Sequence, residues 1–115
     1  MTPASVKNIR DMVLHPDHSL QVAKELDVES CAIAVIQMPA NWADYPAHDH
    51  SHDRLEEIYV VLEGSTTITV GKVTWDMPKG SIARVAPEHW RTFNPGPQGA
   101  SILVIGAPVT AQPAA

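Results

Sequence analysis

Short apolar runs alternate with proline- and glycine-bearing breaks along most of the chain. The runs predict strands at Leu20–Leu26, Cys31–Met38, Tyr45–His52, Glu57–Leu62, Ser65–Val70, Lys72–Trp75, Ser81–Val85, Trp90–Asn94 and Ser101–Ile105. The breaks fall at Pro39, Gly64, Gly71, Pro78-Lys79-Gly80, Pro87 and Asn94-Pro95-Gly96-Pro97, where turn chemistry is expected. Thr66-Thr67-Ile68-Thr69-Val70 is β-branched throughout, which favours strand over helix. Close, regular spacing of this kind predicts an all-β sandwich or barrel. Val6–Leu14 carries partial helical spacing through Val6, Ile9 and Val13, but Pro16 follows closely, and an edge strand is the alternative.

At 115 residues the chain is read as one domain, 1–115, with a core at about 30–106, an N-terminal arm over 1–29 and a flexible tail over 107–115. A formal charge of −5 argues against nucleic acid or an anionic membrane as partner. No apolar run approaches the roughly 20 residues of a membrane span. The N-terminus lacks the basic-then-apolar pattern of a signal peptide, so a cytoplasmic setting is expected. The single cysteine, Cys31, sits in an apolar run and is expected to be a buried core residue. Phosphate-cradling glycine loops and the Gly-x-Ser-x-Gly elbow are absent, which disfavours nucleotide chemistry and serine hydrolysis.

The chemistry concentrates in residues 46–64. Three of the six histidines, His48, His50 and His52, occupy alternate positions, ahead of Glu56-Glu57 and an apolar run ending at Gly64. In an extended segment such residues share a face. Two imidazoles on one strand and a carboxylate on the next form three sides of a metal site suited to Fe, Mn, Ni or Zn. Glu56 and Glu57 fall on opposite faces, and an inward carboxylate in an apolar barrel calls for a cation beside it.

Pro46-Ala47-His48-Asp49-His50, then Glu57 and Gly64, resembles the first motif of the cupin superfamily. Pro78-Lys79-Gly80, Arg84-Val85-Ala86-Pro87 and Asn94-Pro95-Gly96 resemble the second. The resemblance implies a double-stranded β-helix, or jelly-roll barrel, with a divalent metal near its mouth and Glu57 pointing inward. It favours His48 and His50 as the ligand pair, with His52 in the pocket; the alternative register pairs His50 with His52. The family's fourth ligand, a histidine, falls near Arg91 in this sequence. Either His89 fills that position through a register shift, or three protein ligands remain with Arg91 reaching in. An arginine there would repel a metal and could hold an anionic substrate group.

Small cupins of this type imply a metal-dependent enzyme acting on a small, possibly anionic, organic substrate, dioxygenase-like or isomerase/lyase-like. Glu57, His52 and Arg91 are the candidate catalytic residues, and His48, His50, His52, Glu57 and His89 the candidate metal ligands. Arg84 is a second candidate anchor for an anionic group. A non-catalytic small-molecule-binding or sensing cupin is the alternative. Sheet edges left open by so short a barrel predict a homodimer. Trp90 is expected to wall the pocket, and Trp75 to lie in the core or the dimer interface.

Overall fold

A computed structural model of the chain describes residues 3–109. Its elements in chain order are a 3-10 turn (Ile9–Asp11), β1 (Ser19–Leu20), α1 (Val22–Leu26), β2 (Ala32–Met38), β3 (Leu55–Val70), β4 (Val73–Pro78), β5 (Ile82–Val85) and β6 (Arg91–Pro108). All strand pairs are antiparallel. No helix among the described residues is long and apolar enough to cross a membrane.

Two long strands organise the barrel. β3 has 16 residues and β6 has 18, and they pair from Leu55–Pro108 to Val70–Arg91. The sequence pattern divides each into two strands, at Gly64 and at Asn94-Pro95-Gly96-Pro97. Instead the strands continue through these points and bend. The register slips between Val61 and Glu63 and again between Gly64 and Thr66. At Gly64, φ is +72° and an added Cβ would lie 2.0 Å from the Gly99 carbonyl oxygen. Only glycine permits that backbone approach and that φ. Beyond the bend the halves take different neighbours. The first half of β3 pairs with β5 and the last half of β6, while its second half pairs with β4 and the first half of β6. The sheet thereby folds over on itself as a jelly roll.

Burial alternates along β3, with Glu57, Tyr59, Val61, Thr66 and Ile68 inward. Their neighbours in the core include Met38, Met77, Val85, Phe93 and Ile102. A separate cluster of Met12, Leu20, Val22 and Val35 seats the N-terminal arm on β2.

Three sequence expectations need correction in these flanks. Leu20–Leu26 is not a strand: Ser19 and Leu20 pair with β2, and the chain then turns helically until Asp27 at φ +57°. Packing of Val22, with Lys24 exposed, outweighs local strand propensity. Cys31 is half-buried just before β2 rather than buried in the core. Ala107 and Pro108, expected to belong to a flexible tail, instead pair with Glu56 and Leu55. Residues 110–115 of that tail lie outside the described residues.

Candidate metal centre

The segment expected as a strand at Tyr45–His52 holds only an isolated bridge, between His48 and Arg91. The His48 N–H donates to the Arg91 carbonyl at 3.2 Å, and the Arg91 N–H donates back at 2.9 Å. The chain then turns over 51–54, where the Arg54 N–H donates to the His50 carbonyl at 2.7 Å. Aspartates drive this turn. The Ser51 N–H donates to Asp49 Oδ1 at 3.3 Å, and the Leu55 N–H donates to Asp53 Oδ1 at 3.3 Å. Such local bonds compete with an extended strand. Alternation therefore ends at His50, and the His52 side chain is 75% exposed.

His48, His50 and Glu57 offer ligand atoms that all lie within 4.8 Å of one another. Each histidine is anchored through Nδ1. That of His48 lies 2.8 Å from the Pro46 carbonyl, which can only accept, so the proton is assigned to Nδ1 and Nε2 keeps its lone pair. That of His50 lies 3.0 Å from Asp53 Oδ1. A carboxylate behind a histidine is the usual support of a metal ligand. Asp53 escapes the sequence reading, although its position three residues after His50 was a usable signal. Burial opposes the Asp53 charge, but bonds from the Leu55 N–H and His50 hold its carboxyl below the ordinary range. His50 Nε2 faces Glu57 Oε1 at 3.0 Å. The two ring nitrogens of His50 thus face two carboxylates, Asp53 and Glu57.

Glu57 is buried, and Oε1 accepts from the Tyr59 hydroxyl at 2.5 Å and from Arg91 Nη1 at 2.8 Å. Burial, together with the charge of Glu57 and the hydrogen bond to it, raises the Tyr59 pKa well above 10, which keeps the hydroxyl a donor. Tyr45 is pushed the same way, by burial and then by Glu57.

Arg91 is 1% exposed. Besides Glu57, its guanidinium donates to the Tyr59 oxygen at 3.4 Å, the His89 carbonyl at 3.2 Å and the Ala86 carbonyl at 2.9 Å. Its fork is turned onto the protein rather than left for an anionic substrate. Arg84 lies outside, paired with Glu56 at 2.8 Å.

His89 sits exposed on the turn after Pro87. Its carbonyl holds Arg91, and its ring belongs to no ligand cluster among the described residues. Because position 91 pairs with His48, Arg91 and not His89 faces the centre. His52 joins a second, more exposed group with His50 and Asp53. Trp90 is 59% exposed and Trp75 is 53% exposed, so neither is a core residue. A cavity of about 490 Å³ opens between β4 and β5, lined by Ile68, Val70, Met77, Ala83 and Val85 with Trp75 at its rim. Neither Glu57 nor Arg91 lines this cavity, although Val85 and Val70 are their respective strand partners.

The family model described as "Cupin domain" matches residues 34–106. No curated protein shows significant sequence similarity to the chain. A cupin protein from Bacteroides fragilis aligns at 21% identity and TM-score 0.71, over 96% of this chain and 92% of that one. An RmlC-like cupin from Desulfovibrio desulfuricans aligns at 18% identity and TM-score 0.60, over 95% and 94%. Iron(II) HppE in complex with substrate aligns at 20% identity and TM-score 0.55, over 66% of this chain and 45% of that one. At such identities the likeness speaks for the fold alone.

Proposed function

The chain belongs to the cupin family, and on that premise we propose that it is a metal-dependent enzyme acting on a small organic substrate. His48, His50 and Glu57 would hold a divalent transition metal, Fe, Mn, Ni or Zn. The observation that carries the reading is the convergence of their ligand atoms within 4.8 Å. Two anchored imidazoles and one carboxylate fit such ions by donor type. A cation bound there would polarise a substrate oxygen as a Lewis acid, the demand shared by oxygenase-like and isomerase- or lyase-like chemistry.

The chain's own groups divide the remaining work. Asp53 and the Pro46 carbonyl fix the two rings, so that both Nε2 atoms face inward. Tyr59 and Arg91 hold Glu57 in place. His52, stacked 5.8 Å from the His50 ring and open to solvent, would relay protons between solvent and the centre rather than contact a bound substrate. Val73, Trp75 and Ile82 expose apolar surface on β4 and β5, which supports a homodimer. Light scattering would test that assembly, and a monomeric mass at micromolar concentration would count against it.

One observation favours a second reading, a small-molecule-binding cupin without turnover: Arg91 and Tyr59 already satisfy Glu57 Oε1. Elemental analysis of untagged wild type beside His50→Ala separates the two. Near-stoichiometric metal that is lost in His50→Ala is expected. A wild type without metal even after reconstitution would leave the binding reading.

A further inference from the structure

Position 91 is directly opposite His48 across a hydrogen-bonded bridge, and paired residues project from the same face. The side chain there reaches Glu57 at 2.8 Å and has no exposed surface. A fourth protein ligand would need this place, and an arginine fills it.

We propose that Arg91 acts as a fixed charge in place of a fourth ligand, leaving three protein ligands and selecting anionic chelating molecules as the centre's partners. The inference rests on the metal-binding reading above. The charge count shows why. Glu57 at −1 and Arg91 at +1 sum to zero with neutral histidines, so a divalent ion leaves the centre at +2. A histidine at 91 would leave the sum at −1 and the loaded centre at +1. Asp53, beside the outer nitrogen of His50 and 37% exposed, is common to both cases. Low polarity around the pair strengthens the difference. Arg91 therefore weakens the bare metal's hold and strengthens that of an anion bound to it. It engages Glu57 through Oε1, the oxygen that also accepts from the Tyr59 hydroxyl. Arg91 is thus a positioning residue that sets the charge of the centre without touching the substrate.

The test loads Co(II) into wild type, His50→Ala, Arg91→His and Arg91→Lys, and reads affinity by chelator competition and coordination by visible absorption. Malonate and its neutral isostere malonamide are then titrated into each loaded protein. Wild type is expected to bind one Co(II), lost in His50→Ala, and to change its spectrum with malonate but not with malonamide. Arg91→His should bind Co(II) roughly tenfold or more tightly, the scale on which groups around a metal tune its affinity, with an altered spectrum and a weakened malonate response. Arg91→Lys keeps the charge, though not the guanidinium's hydrogen bonds, and should still respond to malonate more strongly than to malonamide. Two results would overturn the proposal while wild-type binding still depends on His50. One is Arg91→His with unchanged affinity and spectrum. The other, which stands even if Arg91→His does not fold, is malonate acting no more strongly than malonamide on wild type. Wild-type Co(II) binding indifferent to His50 would overturn the metal reading itself, and this inference with it.

Discussion

Arg91 Nη1 lies 2.8 Å from Glu57 Oε1, and the two side chains are 0% and 9% exposed. A pair so deeply placed is costly to break from one side, because the remaining charge is stranded. Removing one partner of a buried pair costs about 3–5 kcal/mol, whereas replacing both is far less damaging. Arg91→Met should therefore destabilise the fold by about that amount, and Glu57→Gln with Arg91→Met should recover a substantial part. Denaturant unfolding of the single and double variants measures the coupling. A loss below about 1 kcal/mol for Arg91→Met would show that the pair is open to water.

The bend of β3 gives a second prediction. A Cβ at Gly64 would stand 2.0 Å from the Gly99 carbonyl oxygen, while one at Gly80 meets nothing within 4 Å. Both glycines have positive φ, +72° and +88°. Gly80→Ala should cost only the backbone preference, about 1–2 kcal/mol. Gly64→Ala must also separate two strands and should unfold the protein or lower its melting temperature much further. Similar melting temperatures for the two variants would mean that the close approach at the bend is not needed.

That bend marks where sequence pattern stops being informative. Alternation at Glu57–Leu62 and the β-branched run at 66–70 display the inward face directly, since period-two burial is a local property. Whether Gly64 ends a strand or bends one depends on Gly99, which is distant in sequence. The pairing of Arg91 with His48 is likewise a fact of register and places arginine at the centre beyond what residue spacing can decide. His52 continues the alternation of His48 and His50 in the sequence, but Asp49 and Asp53 bond the backbone locally and turn it away. Leu20–Leu26 reads as a strand because leucine and valine serve either structure, and the surface of β2 decides between them.

Asp53 stands behind His50, so its effect should appear in metal affinity rather than in stability. Its side chain is 37% exposed and adds little to the fold. Asp53→Ala should weaken Co(II) binding by roughly 10- to 100-fold, the usual effect of removing a histidine's supporting carboxylate. Asp44→Ala, exposed and away from the ligand cluster, should leave it unchanged. Equal affinities in Asp53→Ala and wild type would remove Asp53 from the centre.

Alkaline pH probes the same core from another side. Tyr45 and Tyr59 are the only tyrosines, and both have pKa values raised above the ordinary value of 10.0, chiefly by burial. A folded pKa above the unfolded one means that the native state keeps a proton the unfolded chain releases. Stability from this source is fully present below pH 10 and falls as pH rises beyond it. For Tyr59, which has no exposed surface, the slope is about 1.4 kcal/mol per pH unit. A spectrophotometric titration should show no tyrosinate near pH 10 while the fold is intact, then a cooperative rise coincident with loss of circular dichroism. Reversible ionisation of both tyrosines near pH 10 in folded protein would mean that water reaches the Tyr59–Glu57 hydrogen bond.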